Sequence, residues 1–152
     1  MQPADQQALN EALSRLETAL LTPVVSGELA SWVHAVQQAA GEVGTQLKAY
    51  LNSTQRSQYR QIASSDPELL VKVQQLARED QELLAEFAGL EKNLERLAQL
   101  VSAADKDESR AEKHRSELEQ QGTATILRIR KQQVATDTWL SEAVYRDRGV
   151  AD

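Results

Sequence analysis

Residues 73–90 read VQQLAREDQELLAEFAGL. Taken in alternating steps of three and four, they give Val73, Leu76, Asp80, Leu83, Phe87 and Leu90, and the same steps continue through Leu94, Leu97 and Val101. That period places every one of these side chains on a single stripe of an α-helix. One position breaks the apolar run. An aspartate at 80 sets a carboxylate on a face that otherwise belongs in a core.

Working outward, three further stripes of the same kind appear. Leu9, Leu13, Leu16 and Leu20 mark a first helix that starts near Ala4, outside Pro3, and ends before LTPVVSG, where Pro23 removes a donor and disfavours helix at Thr22. A second helix opens after Ser26 and Gly27, with Ser26 as the expected N-cap, and its stripe runs Leu29, Val33, Val36, Ala40, Val43, Leu47, Tyr50. Gly41 and Gly44 either weaken that helix or admit a close neighbour. In IASSDPELL, Asp66 is the expected N-cap of a third helix, Pro67 suits its first position, and Glu68 complements the dipole. This helix runs to about Ser102, a rod of roughly 50 Å. The charged run AADKDESRAEKHRSE is expected to hold a tight link and the wet opening turns of a fourth helix, with Gly122 its soft point and Gly149 its stop.

The composition agrees. The 152 residues are 41% hydrophobic, 26% charged and 4% aromatic, with six Gly and three Pro, and are rich in good helix formers. One domain over 1–152 is expected, all-α, packed as an up-down-up-down four-helix bundle. Four separate stripes favour that arrangement over a long hairpin or a dimeric coiled coil, although the oligomeric state is open. A net charge of −6, with a pI near 5.0, argues against nucleic acid or an anionic membrane as partner and leaves protein as the expected one. The compact basic cluster Arg128, Arg130 and Lys131 lacks stacking aromatics and reads as a solvated face. With no Cys, disulfides, thiolate metal sites and thiol catalysis are excluded. The N-terminus lacks a basic start and apolar stretch, so the expected setting is cytoplasmic.

Folding the helices about their links brings polar groups to one level. With links centred near 65–66 and near 106, Asp80 falls opposite Tyr50 and Thr54 on one side and Gln132 and Thr136 on the other. Gln6 continues the first stripe, but it reaches that level only if the link at 21–27 absorbs a large stagger. Bundles build metal sites from such inward-facing layers, but one carboxylate among hydroxyls and amides is a poor ligand set for a dication. His34 and His114 lie away from this level and read as surface residues; Trp32, Trp139 and Phe87 read as core or rim. No phosphate loop, nucleophile elbow or catalytic acid pair occurs.

Four stretches, LNEALSRLETAL (9–20), LKAYLNSTQRSQY (47–59), SSDPELLVKVQQLAREDQELL (64–84) and SEAVYRDRGVAD (141–152), resemble the hemerythrin-like, or HHE cation-binding, family. The resemblance implies a hemerythrin-like bundle and a di-iron centre between its helices. It also implies where the ligands would fall. Gln6 stands at the first-helix His, Tyr50 and Thr54 at the second-helix His and Glu, Asp80 at the third-helix His with Leu84 at a following His, and Gln132 and Thr136 at the fourth-helix His and acid. The expectation is therefore a degenerate member with no cofactor, no catalytic residue and no metal, serving as an interaction or regulatory module. The alternative is a vestigial site around Asp80 that takes a small ligand or a single divalent ion; a metal-dependent oxygen or redox protein ranks last.

Overall fold

The computed structural model describes the backbone of residues 3–103 and 107–151, and the side chains of 3–103 and 107–145. Five helices, α1 (Ala4–Leu21), α2 (Leu29–Tyr50), α3 (Arg56–Ser65), α4 (Leu70–Ser102) and α5 (Glu108–Ala151), account for nearly all of it, and no strand occurs among the described residues. A π-helical turn, Leu51–Gln55, joins α2 to α3 without breaking the rod, so the bundle has four helical columns.

Each helix ends for a local reason. Pro3 is extended, and the amide of Gln7 returns to its carbonyl at 3.1 Å, starting α1. Thr22, just before Pro23, is extended and ends it. Gly27 takes φ 88° in the following turn, a conformation that side chains rarely adopt, so α2 begins only after Glu28. Ser26 therefore lies two residues before the N-cap position, which Glu28 holds, and the expected cap is corrected. The signal at Asp66 is met: its carboxylate accepts from the Glu68 amide at 3.1 Å, and Pro67–Leu69 forms a 3-10 turn leading into α4. Asp107 caps α5 in the same way, accepting from the Arg110 amide at 3.0 Å. The first turns of α5 carry the wet charge pattern read from the sequence, with Arg115 forked between Glu112 and Glu119 at 2.7 and 2.8 Å. The centre of the link near 106 lies outside the described residues. Gly149 does not stop α5, which runs through it to Ala151, since a single glycine weakens a helix without removing a backbone donor.

Cross-helix contacts fix the directions. Arg15 pairs with Glu42 and Ser53 with Asp5, so α1 and α2 are antiparallel. Phe87 against Gly44 and Tyr59 to Asp80 set α2 and α3 antiparallel to α4. Asn93 to Gln121 and Gln132 to Asp80 do the same for α4 and α5. Asn10 with Gln133 and Leu20 with Gly122 close the ring antiparallel between α1 and α5. The four columns alternate up, down, up, down. Arg128 and Arg130, taken as a solvated face, are anchored to Glu86 and Glu17 at 2.9 and 2.7 Å across helix boundaries.

Column lengths are unequal, and this creates the unusual end of the molecule. α1 starts level with the π turn, where Asp5 meets Ser53. Beyond that level there is no first column, and α3 packs against α5 as well as α4. The interior divides accordingly. A large core holds Leu9, Leu16, Val36, Leu47, Phe87 and Leu94, whereas a smaller one holds Tyr59, Ile62, Leu69, Val73, Leu76 and Ala143.

Glycines 44 and 122 are packing positions. A Cβ at Gly44 would lie 3.3 Å from Phe87, and one at Gly122 would lie 2.6 Å from a methyl of the fully buried Leu20. Gly122 is therefore the point of closest approach of α5 to α1 rather than a soft point in the helix. Gly41 faces open space. Gly41→Ala should raise stability by about 0.5–1 kcal/mol through helix propensity. Gly122→Ala gains the same propensity but overpacks Leu20, a cost of about 1–3 kcal/mol, and a net loss of about 1 kcal/mol is expected. Paired urea melts measure both; an equal gain at the two positions would refute the close approach.

Candidate functional site

At the boundary between the two cores the apolar stripes of three columns carry polar residues. Position 80 interrupts the α4 stripe, Thr136 and Gln133 follow Ile129 on α5, and Gln55 follows Leu51 in the π turn. Gln55, Asp80 and Thr136 are 0%, 4% and 0% exposed. Polar groups so enclosed must bond one another or forfeit their hydration.

They do so as a directed chain. The Tyr50 hydroxyl donates to Gln55 Oε1 at 2.7 Å. Gln55 Nε2 donates to the Tyr59 hydroxyl at 2.8 Å and to Thr136 Oγ1 at 2.9 Å, and lies 3.4 Å from Asp80 Oδ1. An amide nitrogen carries two hydrogens, so the two short contacts occupy it. Tyr59 then donates to Asp80 Oδ2 at 2.7 Å. Gln132 Nε2 supplies the other carboxylate oxygen at 3.1 Å and also reaches the Leu76 carbonyl at 3.0 Å. Thr136 returns its own proton to the Gln132 carbonyl at 3.0 Å. One branch, from Tyr50 through Gln55 and Tyr59, ends on the Asp80 carboxylate, and the other, through Thr136, ends on the Gln132 carbonyl.

The electrostatics pull in opposite directions. Burial pushes the Asp80 carboxyl above its ordinary value of 3.8, while hydrogen bonds from Tyr59 and Gln132 and the nearby Gln55 amide oppose that rise, and burial wins. None of the ion pairs of the described residues includes Asp80. Burial also raises both phenols above their ordinary range, assisted at Tyr50 by the charges of Asp137 and Asp80 and at Tyr59 by its bond to Asp80. Both tyrosines therefore remain protonated donors.

Of the residues singled out by sequence, Tyr50, Asp80, Gln132 and Thr136 belong to this group. Thr54 does not. It is half-buried, and Gln55 occupies the place expected for it. The π turn is the cause, because one added residue rotates every later position by about 100°. After Tyr50 the inward set is therefore Leu51, Gln55, Tyr59 and Ile62, and Thr54 falls outside it. Gln6 is buried on α1, but no hydrogen bond ties it to Asp80; nearest in sequence, Asn10 of α1 accepts from Gln133 of α5 at 3.1 Å. Gln55 and Tyr59 went unrecognised, although their spacing to Ile62 repeats the helical period and was the available signal.

The residues do not fit a di-iron centre. Asp80 is the group's sole carboxylate, imidazole is lacking, and among the described residues no three His, Cys, Asp or Glu side chains gather as a metal site requires. His34 is exposed on α2, and His114 stands on α5 with Nδ1 3.9 Å from Glu117. A cavity of about 300 Å³ with a mixed lining, Val24, Leu29 and Val101 beside Asp107, Glu108 and Glu112, lies at the opposite end of the bundle. No family model, curated protein or solved structure matches the chain. What the site does must be argued from its chemistry.

That chemistry makes a signed pH prediction. A carboxyl raised in the folded state takes up its proton before the unfolded chain does. Its contribution therefore grows as pH falls through the native value and is complete below 3.8. The stability of the wild type minus that of Asp80→Asn should rise as pH is lowered from 7 toward 3.8, measured by urea midpoints at each pH. A difference that falls instead would mean that the three donors outweigh burial. At neutral pH, Asp80→Ala leaves a cavity and strands the Tyr59 proton, a loss of about 2–3 kcal/mol.

Proposed function

We propose that the chain is a hemerythrin-like bundle whose interior has exchanged a di-iron ligand set for a hydrogen-bonded polar layer, and that it acts without catalysis as a protein-interaction or regulatory module. The observation that carries this reading is the internal satisfaction of Asp80. Both carboxylate oxygens already accept from Tyr59 and Gln132 of the protein itself. A metal ion would have to displace those donors, and the neutral amides and hydroxyls around it would not offset the charge of a dication.

The resemblance supports the same reading from another side. Tyr50, Asp80, Gln132 and Thr136, four of the seven positions at which the hemerythrin-like pattern implies ligands, converge at one level of an antiparallel four-column bundle, whereas Gln6, Thr54 and Leu84 do not join them. The place of the layer is kept while its chemistry has changed. No described helix is long and apolar enough to cross a membrane, and the acidic net charge favours a protein partner over nucleic acid.

Metal analysis of chelator-free protein, together with thermal melts in Fe(II), Mn(II) and Zn(II), tests the reading. Substoichiometric metal and unchanged melting temperatures are expected. Stoichiometric iron, or a metal-induced rise in melting temperature that Asp80→Asn abolishes, would replace this proposal with a divalent-ion site.

A further inference from the structure

α3 is short, and both of its ends are irregular. Its ten residues run from the π turn Leu51–Gln55 to Asp66 and the 3-10 turn Pro67–Leu69. A helix of that length is not stable alone in water and depends on what it packs against. Its buried residues are Tyr59 and Ile62, and both belong to the smaller core, which shares no residue with the larger one. Arg56, Ser57, Arg60, Gln61 and Ser64 are exposed.

Side-chain hydrogen bonds join α3 to its surroundings at Tyr59 and Gln58. Tyr59 accepts from Gln55 at 2.8 Å and donates to Asp80 at 2.7 Å, while Gln58 Nε2 reaches Asp137 at 3.5 Å. The other end of the Gln58 amide fares worse: its Oε1 is buried with no hydrogen-bond partner. A carbonyl cut off from water in this way opposes closure, and the opposition ends once water reaches it. The helices beneath hold together without α3. Gln132 of α5 donates to Asp80 and to the Leu76 carbonyl of α4, and Lys72 of α4 lies 5.3 Å from the centre of the Trp139 ring of α5.

We propose that α3 is a strap, which detaches from α4 and α5 as one unit between its two irregular turns while the larger core stays folded. Opening breaks the bond from Tyr59 to Asp80, hydrates that carboxylate, and uncovers Leu69, Val73, Leu76 and Ala143. Sub-global opening is drawn from elements with few buried apolar contacts. Tyr59 and Ile62 are the latch, and the stranded Gln58 carbonyl keeps the strap poised against it. The proposal rests on the packing of α3 and is independent of the non-catalytic reading above.

Hydrogen exchange read by mass spectrometry, joined to a thiol reporter, tests the proposal. In the unmodified protein, amides of 56–65 should exchange roughly a hundredfold or more faster, corrected for intrinsic rates, than those of 36–47 and 83–97, which need global unfolding. The chain has no Cys of its own, so Ala143→Cys reports on the smaller core and Ala12→Cys on the larger; both alanines are 0% exposed. A thiol reagent should modify Ala143→Cys faster and with the weaker urea dependence, since strap opening exposes less surface than global unfolding. Val36→Ala, in the larger core, separates the two routes. It destabilises the closed and strap-open forms alike, so modification of Ala12→Cys should accelerate about tenfold while that of Ala143→Cys stays unchanged. Tyr59→Phe weakens the closed form alone and should accelerate Ala143→Cys about tenfold. Protection of 56–65 equal to that of 36–47, equal rates and urea dependences at the two cysteines, or acceleration of both by Val36→Ala would each overturn the strap. So would an Ala143→Cys rate indifferent to Tyr59→Phe.

Discussion

The buried amide of Gln55 is the constraint on which the rest of this interior depends. A side-chain amide has two donor hydrogens and a carbonyl oxygen, and a fully enclosed one is tolerated only when both ends are used. Here Tyr50 serves the oxygen, and Tyr59 and Thr136 take the hydrogens. One residue thereby fixes the rotation of α2, α3 and α5 about their own axes. Asp80 completes the set from α4, through Tyr59 and Gln132. A bundle held by apolar stripes alone admits small slips and rotations of its columns. A polar layer in which each proton has one address does not, because any slip strands a donor away from water.

The same layer reconciles columns of unequal length. α1 begins only at the level of the π turn, and an uninterrupted α2 would present α3 to the space beyond it with the wrong face. One added residue turns the following side chains by about a third of a revolution. Tyr59 and Ile62 then point into the smaller core shared with α4 and α5. The π turn leaves local backbone groups imperfectly paired, and it is retained where the tertiary gain is greatest, at the junction of the two cores. Gln55 is the last residue of that turn. The irregular backbone and the buried amide are parts of one solution.

Much of this could be read in the sequence, and what could not has a physical cause. The α4 stripe, the Asp66–Pro67 start signal and the facing of Asp80 by Gln132 follow from period, capping chemistry and counting along straight helices. Counting fails where a helix is not straight in phase. Nothing in YLNSTQRSQY announces a wider turn, since Asn, Ser and Thr weaken an α-helix without dictating its replacement. Counting on a straight helix therefore points to Thr54, one residue from the Gln55 that faces inward, and leaves Tyr59 off the stripe. Gly122 was misread for a related reason. Helix propensity treats glycine as a weakness, whereas the contact with Leu20 depends on a neighbour more than a hundred positions away. The sequence states a residue's local cost plainly and its tertiary use only through its partners.

The opposite faces of α5 differ in what they are committed to. Its inward face is committed, by hydrogen bonds with directions, to a single arrangement. Its outward face carries apolar groups at helical spacing with no such commitment. The two faces share a level, since Thr136 binds Gln55 inside while Val134 and Thr138 flank it outside. The polar layer thus acts beyond its own level, because the bonds that fix the inner face of α5 fix the orientation of its outer face as well.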